Sequence, residues 1–138
     1  GSASATARAR GGRPGSNDRM AIHKTATIRR GFVIYPEARG GVQTRTGLWF
    51  FCPGCLEAHR YVIERLDGSE GPTWTFDGDY EKPSVSPSLL VNAGQRNPAH
   101  PVCHLFLTAG QLHFCQDSTH ALAGKVVPLP DLPAWLTR

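Results

Sequence analysis

Four cysteines constrain this chain more than any other feature. Two stand together in Cys52-Pro53-Gly54-Cys55, and two lie far along the chain at Cys103 and Cys115. A CxxC knuckle offers two thiolates to one tetrahedral ion. Pro53 presets its turn, and Gly54 lets the backbone fold beneath the metal. Redox CxxC pairs sit at a helix N-terminus in a βαβ setting, which this pattern lacks. Cys103 and Cys115 flank a hairpin. With Thr108-Ala109-Gly110 as a three-residue loop and Gly110 left-handed, Cys103 faces Cys115. Directly opposed residues have Cβ atoms about 5 Å apart, a reach that suits two ligands of one metal. A two-residue loop would instead set His104 opposite Cys115 and part the two thiols. The expectation is one zinc ion on Cys52, Cys55, Cys103 and Cys115, structural because four thiolates close its shell. The competing readings are ordinary buried thiols, a Cys103–Cys115 disulfide, and a site where His59, His104 or His120 replaces a Cys.

The chain has 138 residues, 40% hydrophobic and 19% charged, which suits one modest globular core in which a metal staple matters. Short apolar runs broken by Gly and Pro read as strands at residues 31–35, 47–52, 60–65, 74–76, 88–91, 104–107 and 111–115. Asp77-Gly78 is a turn pair. Thr119–Ala123 offers one turn of helix capped by Ser118 or Thr119. Pro128, Pro130 and Pro133 keep the C-terminal segment extended, with Trp135 and Leu136 docking on the core. The fold class expected is all-β or β-rich α+β, a small zinc-stapled sheet with hairpins and at most one or two short helices.

The net charge of +4 resides mainly in residues 1–19, where Arg8, Arg10, Arg13 and Arg19 face only Asp18. The rest of the chain is left near +1, too little for a basic groove, so nucleic acid ranks last among partners. Residues 1–19 read as a disordered leader, a tag or linker, with residues 20–138 as a single domain. No apolar run approaches the ~20 residues of a membrane span. Free cysteines without a secretion signal point to the cytoplasm.

The motifs taken in order resemble a family of small phage and bacterial proteins. The family pattern runs CPGC and a nearby His, W-x-aromatic-x-GD, KP-x-x-SPS, CH and D-x-THALAG. The matches here are Cys52–Cys55 with His59, Trp74-Thr75-Phe76-Asp77-Gly78-Asp79, Lys82-Pro83, Ser86-Pro87-Ser88, Cys103-His104, and Asp117 through Gly124. The family commonly carries a Cys before the Thr-His; this chain has Ser118 there and Cys115 upstream. Some members are encoded beside ubiquitin-like proteins and their activating and conjugating enzymes. The resemblance therefore implies a processing enzyme or a partner in such a pathway.

With the cysteines assigned to metal, Ser, His and Asp remain, the parts of a nucleophile, a base and its orienter. Ser88 is the better nucleophile on backbone grounds. Ser86 precedes Pro87, which has no N–H to offer an oxyanion, whereas Ser88 precedes Leu89. His120 is the expected base, His104 its competitor, and Asp117 the orienter. His59 is read as steadying a zinc thiolate from outside the coordination shell. The bland alternative makes the serines turn caps and the histidines buried and hydrogen-bonded. Two functions follow: a serine-type peptidase acting on a ubiquitin-like protein or its conjugates, or a non-catalytic zinc-stapled module that binds a protein partner.

Overall fold

The computed structural model describes residues 6–9, 27–94 and 99–137. Four strands form an antiparallel sheet in the order β2-β3-β4-β5: β2 (Thr27–Arg29), β3 (Phe32–Arg39), β4 (Val42–Cys52) and β5 (Glu57–Arg65). The second sheet holds β1 (Thr6–Ala9), β6 (Thr75–Phe76), β7 (Val85–Val91), β8 (Cys103–Thr108), β9 (Gln111–Phe114) and β10 (Val126–Pro128). Its order is β1-β7-β8-β9-β10, with β6 also on β7. All pairings are antiparallel except β1 with β7. Among the described residues one short helix, α1 (Ala134–Thr137), follows. The β-rich class expected from the sequence is what the chain adopts. Among the described residues no helix is long and apolar enough to cross a membrane.

The run Leu48-Trp49-Phe50-Phe51 is apolar on both strand faces because both are covered. Strand side chains alternate between faces. Leu48, Phe50 and Cys52 join Tyr61, Leu89, Val91, Leu105, Leu107 and Leu112 in the core between the sheets. Phe50 stacks on Tyr61 at 5.3 Å, and Tyr61 meets Trp74 edge-on at 5.6 Å. On the opposite face Trp49 joins Val33, Tyr35 and Ala58 beneath Leu136. Phe51 meets Trp135 edge-on. The C-terminal segment thus docks as its apolar pair suggested, closing with a helical turn rather than staying extended.

The β8–β9 hairpin departs from expectation, and the site depends on it. Thr108 pairs with Gln111, so the loop has two residues, Ala109 and Gly110, not three. Both have positive φ, 49° and 80°, as in the primed turns that match strand twist. Alanine seldom takes this conformation. Here the Ala109 N–H donates to Ser84 Oγ and the Gly110 N–H to the Pro83 carbonyl, so the loop before β7 holds the turn.

Two smaller expectations also change. Residues 121–124 form turns rather than helix. Thr6–Ala9, inside the leader set aside as disordered, run as strand β1 along β7; the remainder of residues 1–19 lies outside the described residues.

Candidate active site and metal centre

Register builds the first cluster. Leu90 lies opposite His104 across β7 and β8. Ser88 is two residues before Leu90, hence on the same face and diagonal to His104. Between Val85 and Leu89 the register shifts, so Ser86-Pro87-Ser88 bulges from the ladder. Ser88 Oγ lies 3.1 Å from His104 Nε2, and His104 Nδ1 lies 3.0 Å from both carboxylate oxygens of Asp117. A carboxylate accepts only, so Nδ1 carries the proton and Nε2 presents its lone pair to the serine hydroxyl. The Trp74 indole N–H donates to the Ser88 carbonyl at 3.2 Å and fixes that backbone.

Asp117 arrives on the loop after β9, which is stapled to the start of β8. The Cys115 N–H donates to the His104 carbonyl, and the Thr119 N–H to the Val102 carbonyl. Thr119 Oγ1 accepts the Val102 N–H. Ser118 Oγ accepts the His104 N–H at 3.0 Å and donates to the His104 carbonyl at 3.1 Å. This buried hydroxyl clamps the residue that would act as base. In the sequence Ser118 stands out only as a helix cap and as the residue where the resembled family carries a Cys.

The second cluster joins the two sheets. Cys52 ends β4, Cys55 closes the knuckle, His59 lies on β5 and Cys103 opens β8; their donor atoms lie within 4.8 Å of one another. Cys52 Sγ and Cys103 Sγ are 3.8 Å apart. A tetrahedral ion with Zn–S bonds of about 2.3 Å requires an S···S edge of about 3.8 Å. His59 Nδ1 sits 3.2 Å from the Ala58 carbonyl, so it is the protonated nitrogen. Its buried Nε2 is left without a hydrogen-bond partner, the arrangement of a ligand histidine. Hydrogen bonds from Cys103 and Cys55 draw the Cys52 thiol well below its ordinary range, while Cys103 is pushed well above it by its pairing with Cys52 and Cys55 and by burial. A cation among them would let all three ionise. The donor set therefore fits one metal ion.

Three expectations are corrected by this geometry. Cys115 is not with the other cysteines: the two-residue hairpin loop sets it across from His104 and outside the four-donor group. It lies instead near His104 and Asp117, with its thiol pushed up by burial and then by the Asp117 carboxylate. His120 is not beside the serines. Its Nδ1 accepts the Leu122 N–H, so Nε2–H donates to Cys103 Sγ at 3.4 Å. Burial lowers its pKa and favours this neutral form. Ser86 does not share the cluster either; among the described residues its side chain makes no hydrogen bond, and it lines a surface concavity with Pro87 and Phe106. His120 thus takes the place beside a thiol that the sequence suggested for His59, and His59 joins the donor group where Cys115 was expected.

Gly54 is required by close approach rather than by φ: a Cβ there would collide with the His120 ring. Asp77 and Asp79 accept backbone N–H groups of the residues that follow, as turn residues do.

Residues 21–115, more than half of the chain, match the sequence model of the bacterial ubiquitination-like system serine protease family, BubE. The chain belongs to the BubE family. No curated protein and no solved structure matches it. The BubE match takes in Ser88, His104 and all four donors of the metal cluster, and ends two residues short of Asp117.

Proposed function

We propose that this chain is a serine-type peptidase of a bacterial ubiquitin-like system, cleaving the ubiquitin-like protein or its conjugates. The observation that carries the reading is the continuous hydrogen-bonded line from Ser88 Oγ through His104 to Asp117. Membership of a family described as serine proteases of a bacterial ubiquitination-like system supports the substrate class.

In this reading Ser88 Oγ attacks the scissile carbonyl while His104 Nε2 takes the hydroxyl proton. Asp117 holds the ring's tautomer and stabilises the imidazolium. The tetrahedral intermediate collapses, its C–N bond breaks, and His104 returns the proton to the departing amine. Water, deprotonated by His104, then hydrolyses the acyl-serine and restores the hydroxyl. Cys52, Cys55, His59 and Cys103 would hold a zinc ion. That ion supplies a closed, structural cross-link between the sheets, and the peptide chemistry belongs to Ser88, His104 and Asp117.

The test is covalent labelling by a fluorophosphonate. We expect labelling of the metal-loaded protein, lost in Ser88→Ala, strongly reduced in His104→Ala, and retained in Ser86→Ala and Ser69→Ala. Absence of labelling in a folded, metal-loaded protein would overturn the peptidase reading and leave a zinc-stapled interaction module.

A further inference from the structure

The strand that carries Ser88 has β8 on one side and an unusual partner on the other. β6 covers only Val85 and Ser86 of that outer edge. From Ser88 to Val91 the edge is paired, among the described residues, with β1, with Thr6 beside Ser88 and Ala9 beside Val91. β1 has four residues and is separated from β2 by seventeen residues of sequence. So short a strand adds few ladder bonds, and an edge it vacates is a template for another chain. Ser88 is buried in this arrangement, and its main chain is paired with Thr6 of β1.

Taking Ser88 as the nucleophile, as proposed above, we infer that the β7 edge from Ser88 to Val91 is the peptide-binding edge of the enzyme. It takes an extended, unstructured tail of the substrate protein as an added strand, in competition with the chain's own Thr6–Ala9. Strand addition draws affinity from main-chain hydrogen bonds and suits a flexible tail of little side-chain character. Direction separates substrate from self. β1 runs parallel to β7, with its N-terminal end at Ser88. A tail running antiparallel enters at Val91 and brings the carbonyl at its C-terminal end to Ser88. Thr6–Ala9 lie the other way round, so they hold the edge without presenting a peptide in the productive direction.

The test uses the full chain carrying Ala7→Pro and Arg8→Pro together. Successive strand residues point their N–H groups to opposite sides, so one proline of the pair removes a donor to β7. Two readouts are taken: hydrogen exchange at the Leu89–Val91 amides, which needs no activity, and the rate of fluorophosphonate labelling. We expect faster exchange, and labelling about five- to tenfold faster, because a competitor that occupies most of the edge lowers the competent fraction by such a factor. A synthetic peptide of residues 1–12 should return both to the wild-type values, and the same peptide with both prolines should not. Unchanged exchange and equal labelling rates would overturn the edge proposal while leaving Ser88 as nucleophile. Faster exchange with no labelling in either protein would overturn the nucleophile, and the edge proposal with it.

Discussion

Ser118 holds both backbone polar groups of His104 with one hydroxyl. Ser118→Ala should therefore loosen the imidazole without touching the reacting atoms. We expect kcat to fall about tenfold with KM and metal content unchanged, because a misplaced catalytic group loses effective concentration steeply with distance. Asp117→Asn keeps the shape and reverses the hydrogen bond at Nδ1, so kcat should fall by about 10³ to 10⁴ with folding intact. Steady-state kinetics beside a thermal melt separates both outcomes from simple unfolding. The three histidines show where residue-level reading stops. His59, His104 and His120 each stand near a Cys, Ser or Asp in the sequence, and each is a plausible base or ligand. What assigns them is which ring nitrogen meets a backbone partner: the Ala58 carbonyl at His59, the Leu122 N–H at His120. Those contacts arise from tertiary placement and leave no local pattern.

The hairpin of β8 and β9 shows the same limit in a whole element. Both strands were legible from their alternating apolar residues, and the turn was legible from Gly110. The loop length was not, because it rests on Ala109 at φ 49°, held by Ser84 from another segment. A difference of one residue moves Cys115 out of the four-donor cluster and seats it by His104, since a register slip exchanges strand faces. The substitutions Cys115→Ser and His59→Ala make this measurable. Metal analysis should find Cys115→Ser with its full complement and His59→Ala with most of its metal lost. Of the longer strands β3, β4, β5 and β7, the apolar stretches could be read from the chain; their polar or Pro-containing ends, residues 36–39, 42–46, 57–59 and 85–87, could not. β2 and β10, of three residues each, are too short to show a period. β1 lay in polar sequence with no apolar face to find.

At the scale of the molecule, the two sheets meet over an apolar core and through the cluster of Cys52, Cys55, His59 and Cys103, with Cys103 the donor from the second sheet. Chelation should lower the melting temperature by more than about 10 °C, because a structural zinc site contributes several kcal/mol to folding. Labelling at Ser88 should decay in step, since Cys103 adjoins His104. Leu136→Ala serves as the contrast. Leu136 is buried on the far face of the first sheet, so its truncation should cost about 2–5 kcal/mol while the folded fraction labels at the wild-type rate. In sequence, the proposed metal donors and the proposed catalytic residues fall on either side of the exposed Leu66. Cys52, Cys55 and His59 precede it, and Ser88, His104 and Asp117 follow, with Cys103 the one donor on the later side. A protein nicked just after Leu66 would therefore consist of a chelating fragment and a catalytic fragment, each inert by itself. Metal would be the reagent that reassembles them, and recovered labelling would count the pairs rejoined.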